Sequence, residues 1–187
     1  MAIKEIKGNL IGLCETGELH GMAHGCNCMH AMGSGIAGQL ARRYPAVPLT
    51  DIEKTVRGDR SKLGTYTDMC QQSAVNEYVF FNVFNMYTQY APSYDGSDVF
   101  EYEKFAEACV VLRNELEMDW QLDVYDDQPY KLGFPQIGAG LAGGDWPSIR
   151  DSIIAAFATS NLIDVYLVEF DGSDLPEIHE VVPGVEF

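Results

Sequence analysis

Positive charge is scarce in this sequence. Its 187 residues carry 12 Lys and Arg against 28 Asp and Glu, a formal net charge of −16 at neutral pH. A protein that binds duplex nucleic acid by neutralising phosphates needs a basic face, so this composition argues against that partner and is typical of a solvated, acidic surface. Residues 1–48 hold four cations and three anions, and we expect any anion site in that part to use backbone N–H groups.

Long apolar stretches are also absent. No run approaches the roughly 18 residues of a membrane span, so we expect no membrane partner. The opening MAIKEIKGNL alternates charged and apolar residues, unlike a signal peptide. An odd number of cysteines, five, then favours reduced thiols in a cytoplasmic protein. The length suits one monomeric domain whose core needs no disulfide or metal.

Predicted strands and helices alternate along the chain. Strand patterns fall at 2–7, 20–26, 64–68, 78–84, 131–137 and 165–170, and helical patterns at 36–44, 49–57, 99–118 and 147–158. This order predicts an α/β layered domain with a mostly parallel sheet. Residues 87–97 read as a loop rich in Tyr, Pro and Gly.

Two glycine-rich loops each lie between a predicted strand and a predicted helix, at 32–38 (MGSGIAG) and at 138–144 (GAGLAGG). Glycine lets a ligand approach the backbone closely, and the start of a helix presents unpaired N–H groups that favour phosphate. Either loop alone can equally be a tightly packed turn. Because strand ends of an open α/β sheet meet at one edge, the pair favours one ligand with two phosphates.

The second loop also fits the dinucleotide pattern G-x-G-x-x-G over 138–143. That fingerprint opens a Rossmann unit, yet only 44 residues follow Gly143. They suffice for one helix, one strand and a tail. We therefore reject a Rossmann site.

A His and Cys cluster precedes the first loop and contains His20, His24, Cys26, Cys28 and His30. Residues two apart on a strand share a face, so several of them can converge on zinc. Structural zinc ligands, however, are normally separated by about two to four intervening residues, and no second ligand pair occurs elsewhere. Thiols that fill the core and a nucleophilic Cys near a helix start stay open as alternatives. We expect no metal and no cofactor.

Residues 23–45, AHGCNCMHAMGSGIAGQLARRYP, resemble the first ligand loop of macrodomains, the ADP-ribose-binding family. They are most similar to the ADP-ribose 1''-phosphate phosphatase branch, whose pattern is H-x-C-N-C, a glycine-rich turn, I-A-x-Q-L-A and R-Y-P. KGNLI (7–11) is similar to that branch's first-strand ending, and FPQIGAGLAGGDW (134–146) resembles its second ligand loop. Residues 46–130 carry no such match.

The resemblance implies a three-layer α/β/α fold around a central mixed, mostly parallel six-stranded sheet. Residues 1–187 would form a single macrodomain, with an acidic irregular tail from about 171. An ADP-ribose cleft would lie at the strand ends.

The resemblance also implies the ligand contacts. Gly8, Asn9 and Leu10 would lie by the adenine; many macrodomains have Asp where this chain has Asn9, and the amide can still accept from the adenine amino group. Asn27 would hold the distal ribose hydroxyls, and Phe170 would either stack on adenine or fill the core. The other expected contacts come from the first loop and the strand before it (Gly25, Cys26, Met32, Gly33, Ser34, Gly35, Ile36 and Ala37) and from the second loop (Gly138, Ala139, Gly140, Leu141, Ala142 and Gly143).

Three functions follow from the resemblance. The first is hydrolysis of ADP-ribose 1''-phosphate to ADP-ribose and phosphate, with His24 as general acid or base and Asp145 orienting water or simply capping a helix. The second is removal of ADP-ribose from a modified protein or nucleic acid; relatives with that activity can use a Lys, and none aligns near either loop. The third is a non-catalytic reader of ADP-ribose.

Overall fold

A six-stranded sheet forms the centre of the computed structural model, which describes residues 2–93, 95, 97–122 and 128–178. The strands are β1 (Ile3–Lys7), β2 (Gly21–Asn27), β3 (Tyr66–Gln72), β4 (Phe80–Gln89), β5 (Tyr130–Pro135) and β6 (Ile163–Glu169). Their order is β1-β6-β5-β2-β4-β3, and every pair is parallel except β3 with β4. The mixed, mostly parallel sheet predicted above is confirmed.

Helices cover both faces of this sheet. They are α1 (Leu10–Glu15), α2 (Gly35–Arg43), α3 (Ala46–Lys54), α4 (Tyr102–Leu122) and α5 (Trp146–Phe157), with a 3-10 turn at Arg60–Lys62. The core of one face takes side chains from α1, α2 and α3, and the core of the other takes them from α4 and α5. Within the described ranges, no helix is long and apolar enough to cross a membrane.

Strand β4 shows how the sequence divides between the two cores. Its side chains alternate between the faces, as the pleat requires: Phe81 and Val83 pack beneath α1–α3, whereas Phe84 and Met86 pack beneath α4 and α5. The apolar side chains of β4 are therefore buried on both faces, which is typical of central strands in layered α/β domains.

Several elements differ from the predicted ones; β3, for example, spans Tyr66–Gln72 and not 64–68. Helix α1 has only six residues and no side-chain cap, so it left no clear signal in the sequence. Helix α3 begins at Ala46 instead of 49, because Pro48 is tolerated in a first turn, where its missing N–H has no helical partner. Strand β4 runs to Gln89, so Tyr87 to Gln89 belong to the sheet and not to the predicted loop at 87–97.

Position 138 requires a glycine for two reasons, the backbone conformation there and the close neighbours. Its φ is +75°, and an added Cβ would lie 2.4 Å from the buried ring of Phe100. Gly140, two residues later, has open space around the same position.

We expect Gly138→Ala to lower the free energy of unfolding by roughly 1–3 kcal/mol, because it combines backbone strain with overpacking. The matched control, Gly140→Ala, should change the stability by no more than about 0.5 kcal/mol. Urea unfolding of both variants measures the difference. Equal stabilities for the two variants would contradict this role of Gly138 in the second loop.

Candidate functional site

A cleft of about 420 Å³ opens at the carboxyl ends of the four central parallel strands. The last residues of β2, β4, β5 and β6 all line it: Asn27, Gln89, Pro135 and Glu169. This is the edge at which open α/β sheets bind ligands, because the loops that leave the strands converge there.

Both glycine loops reach this cleft. Ser34 to Ala37 line it from the first loop and the start of α2, and Leu141 lines it from the second loop together with Gly138, Gly140 and Ala142. Ser34 has an extended backbone, and its side chain makes no capping hydrogen bond to α2. The first N–H groups of α2 therefore lack a side-chain cap at the cleft wall, which suits a phosphate.

A second cavity of about 240 Å³ continues the groove towards β1. Gly8, Asn9 and Leu10 line it, and it shares Phe170 and several other residues with the main cleft. Phe170 is 60% exposed and so is not a core aromatic. A flat aromatic face and a side-chain amide thus border the same small cavity.

Hydrogen bonds fix the amide of Asn9. Its Nδ2 donates to the carbonyl oxygen of Ser173 over 3.0 Å. Because a carbonyl can only accept, the NH₂ group must face Ser173. The Oδ1 atom of Asn9 is then the acceptor that remains for a ligand.

The amide of Asn27 shapes the loop that follows β2. Its Oδ1 accepts from the N–H groups of Met29 and Ala31, over 3.0 and 3.2 Å, and its Nδ2 donates to the Ala31 carbonyl over 2.8 Å. One N–H of this amide is left over for a ligand. Asn27 therefore holds the distal wall of the cleft in place and can make one further hydrogen bond.

Six of the predicted site residues do not line either cavity: His24, Met32, Gly33, Ala139, Gly143 and Asp145. Met32 is packed in the core beneath α1–α3. Gly33 instead supports α2, because a Cβ on Gly38 would lie 2.9 Å from the Gly33 carbonyl group. Gly143 closes the second loop by donating its N–H to the Gly140 carbonyl.

Sequence reasoning missed several residues that do line the cleft. They include Thr88, Gln89, Pro92, Ser93, Gln136 and Glu169. Gln136 lies inside the segment 134–146 that resembles a ligand loop, so that resemblance was a usable signal. Thr88 to Ser93 lie in the unmatched middle of the chain, where no motif marked them.

His24 is fully buried on the face of β2 that meets α3. Its Nε2–H donates to Oδ1 of Asn85 over 2.7 Å, an orientation set by Asn85, whose Nδ2 donates to Thr67 and to the Val47 carbonyl. Burial lowers the pKa of His24 to about 4. This placement does not support a role for His24 as an acid or base in contact with a cleft ligand, since the ring is neutral at neutral pH and faces a helix.

The hydrogen bonds continue from Thr67 to a buried ion pair. The Thr67 hydroxyl meets the hydroxyl of Tyr87, which donates to Oδ1 of Asp51 over 2.7 Å. Lys62 donates to the same oxygen over 2.9 Å, and both charged side chains are almost fully buried. His24 is thus the end of a structural polar network beneath the cleft.

Asp145 lies outside both cavities and caps α5. Its carboxylate accepts from the backbone N–H and the hydroxyl of Ser148, over 3.1 and 2.6 Å. These hydrogen bonds hold the pKa of Asp145 below its ordinary value. Of the two roles foreseen for this residue, the helix cap is the one the geometry provides.

The other members of the His and Cys cluster point to separate partners. His20 accepts from the backbone N–H of Lys131, and His30 contacts the Thr55 hydroxyl. Burial raises the pKa values of the Cys26 and Cys28 thiols, which keeps them protonated and unreactive. In the part of the chain that the structure describes, no three His, Cys, Asp or Glu residues are grouped so as to hold a metal ion.

The walls of the cleft are almost uncharged. Among the described residues that line the two cavities there is no Lys, Arg, His or Asp, and Glu169 is the one carboxylate. Amides, hydroxyls, backbone groups and apolar side chains make up the rest. An anion held here would depend on backbone N–H groups.

A relative found by sequence comparison covers nearly the whole chain. It is an uncharacterised 17.5 kDa protein in the tk-vs intergenic region of Enterobacteria phage T4, 32% identical over 171 residues, which are 91% of this chain and 98% of the phage protein. The chain belongs to the same family as this phage protein. No protein-family model matches the sequence.

Solved structures assign the fold. The macrodomain of Mycobacterium tuberculosis DarG matches with a TM-score of 0.66 and 20% identity, over 89% of this chain and 96% of that one. Thermosipho africanus DarTG in complex with ADP-ribose matches with a TM-score of 0.58 and 13% identity, over 87% of this chain and 41% of that one. At these identities the likeness shows the macrodomain fold alone.

The low pKa of His24 predicts a pH-dependent stability for this protein. A His whose pKa falls from 6.5 to about 4 on folding binds its proton more readily in the unfolded chain. Stability is therefore lost as the pH falls from 6.5 towards 4. Between pH 7 and pH 5, the free energy of unfolding should fall by about 2 kcal/mol more in the wild type than in His24→Gln, which keeps a donor but does not titrate. Urea unfolding at both pH values tests this, and parallel losses would contradict it.

Proposed function

We propose that the chain binds ADP-ribose in the cleft at the carboxyl ends of β2, β4, β5 and β6. The observation that carries this proposal is the convergence of Ser34 and Leu141, one from each glycine loop, on a single groove. A pyrophosphate would lie between these loops and accept hydrogen bonds from their backbone N–H groups. The resemblance of both loops to macrodomain ligand loops supports the same ligand, as does the ADP-ribose in the Thermosipho africanus DarTG structure.

The two ends of ADP-ribose have distinct places in this arrangement. The adenine would occupy the smaller cavity, where Phe170 offers an exposed face and Asn9 Oδ1 offers an acceptor for the amino group. The distal ribose would lie at the other end, beside Asn27 and Gln89. Backbone donors in the middle avoid the need for cationic side chains.

Calorimetry with ADP-ribose tests the proposal. We expect saturable binding with one site per chain. Phe170→Ala should weaken it roughly tenfold, because stacking of a base on an aromatic ring contributes about 1–3 kcal/mol.

Phe80→Ala is the matched control. Phe80 is 59% exposed, against 60% for Phe170, but it begins β4 at the opposite edge of the sheet. That variant should bind as the wild type does.

Added salt should not weaken binding, since it screens the repulsion between an acidic protein and an anionic ligand. Absence of ADP-ribose binding by the wild type would defeat the proposal.

Hydrolysis of ADP-ribose 1''-phosphate is the second candidate function. The sequence H-G-C-N-C at 24–28, followed by a glycine-rich turn, favours this branch of the family over the deacylating one. The deacylating alternative is less well supported, because no Lys or Asp lines the cleft among the described residues. A non-catalytic reader needs the cleft alone.

A phosphate-release assay on ADP-ribose 1''-phosphate separates these functions. If the wild type hydrolyses it, we expect Asp145→Ala and His24→Gln to retain kcat/KM within about threefold, since neither side chain reaches the cleft. Asp145→Ala should instead lower the melting temperature, because α5 loses its cap. Background turnover by the wild type, together with tight ADP-ribose binding, would exclude the phosphatase and leave the reader function and the deacylating one. Loss of turnover in either folded variant would contradict the structural roles assigned here.

A further inference from the structure

Thr88 occupies an irregular position in β4, next to the cleft. Cys26 of β2 pairs with Tyr87 and the next residue, Asn27, pairs with Gln89, so Thr88 is the extra residue of a β-bulge. Bulges are enriched beside functional sites because they re-aim a side chain. Thr88 is also one of the residues that line the cleft.

The hydroxyl of Thr88 has no hydrogen-bond partner among the described residues. Thr88 is 1% exposed, and within the described parts of the chain Oγ1 is the one buried side-chain nitrogen or oxygen in this condition. The backbone carbonyl of Thr88, in contrast, is hydrogen-bonded, since it accepts from the N–H of Glu101 over 2.8 Å. Buried polar atoms in native proteins almost always have a hydrogen-bond partner. This exception therefore indicates a partner outside the described residues.

The surroundings of this hydroxyl explain why the protein does not satisfy it. It faces Gly25 on β2, where an added Cβ would lie 3.0 Å from Oγ1 and 3.2 Å from the Ile137 side chain. Neither a glycine nor an aliphatic side chain offers a side-chain hydrogen-bonding group. Rotation about Cα–Cβ exchanges Oγ1 with the methyl group and needs no backbone movement.

We propose that Thr88 Oγ1 hydrogen-bonds a hydroxyl of the distal ribose; this rests on the proposed binding of ADP-ribose. Gln89, which follows Thr88 in β4, and Asn27, its register partner on β2, also line the cleft. Two amides and a hydroxyl suit a neutral sugar, whose hydroxyls both donate and accept. The phosphates have backbone donors elsewhere, at the two glycine loops.

The test compares two ligands on three proteins. Calorimetry measures the Kd of ADP-ribose and of ADP, which lacks the distal ribose, for the wild type, Thr88→Val and Thr88→Ser. We expect Thr88→Val to weaken ADP-ribose binding roughly threefold to tenfold while leaving the Kd of ADP within about twofold. Thr88→Ser keeps the hydroxyl and should bind both ligands within about threefold of the wild type.

Thermal unfolding without ligand gives an independent readout. Thr88→Val removes an unpaired buried hydroxyl and keeps the shape of the side chain, so its melting temperature should equal or exceed that of the wild type. A residue that merely supported the fold would show the opposite change. Lower affinity with undiminished stability is the combination that supports a ligand contact.

The remaining outcomes overturn the inference in distinguishable ways. If Thr88→Val weakens ADP and ADP-ribose equally, or weakens neither, Thr88 does not contact the distal ribose, although the binding function stands. If the wild type binds no ADP-ribose, the proposed function fails, and the role of Thr88 fails with it. A lower melting temperature for Thr88→Val would assign the residue to the fold.

Discussion

Main-chain N–H groups at the start of α2 and in the loop after β5 are what the candidate site depends on. The chain has a net charge of −16, and the described cleft walls offer no cationic side chain. A phosphate can be held there only if backbone dipoles point at it from a rigid frame. The parallel strands β2 and β5 provide that frame, because their carboxyl ends bring the two loops to one edge.

Buried polar contacts beneath β2 and β4 keep this edge in place. The Asp51–Lys62 pair connects through Tyr87 and Thr67 to Asn85 and His24. His30, in the loop after β2, reaches the same carboxylate at 3.5 Å. Breaking such a network is costly, because removal of any one side chain leaves another without its partner in a low-dielectric interior. Its side chains therefore act on the cleft through the backbone they fix.

The alternation of strands and helices could be predicted because most of the elements have a strong local pattern. On α4, Phe105, Cys109, Leu112 and Leu116 have helical spacing, and all four are buried in one core. The two glycine loops were likewise readable, since glycines clustered between a strand and a helix indicate a close approach to the backbone. Their convergence followed from a rule about strand ends and not from any single residue.

The roles of individual side chains were less predictable, because they depend on contacts far apart in the sequence. His24 lies in a motif, yet its direction is set by Asn85, 61 residues away. Thr88 carries no motif, and its position results from a one-residue offset between two strands. When both faces of a strand are buried, the spacing of apolar residues does not show on which face a side chain lies, nor where a β-bulge occurs.

The hydrogen bond between Asn9 and Ser173 has a consequence for the wall of the small cavity. With one N–H held by the Ser173 carbonyl, the amide of Asn9 keeps its Oδ1 and its second N–H for other partners at the small cavity. The segment after β6 thus fixes the orientation of a side chain that lies 164 residues earlier in the chain.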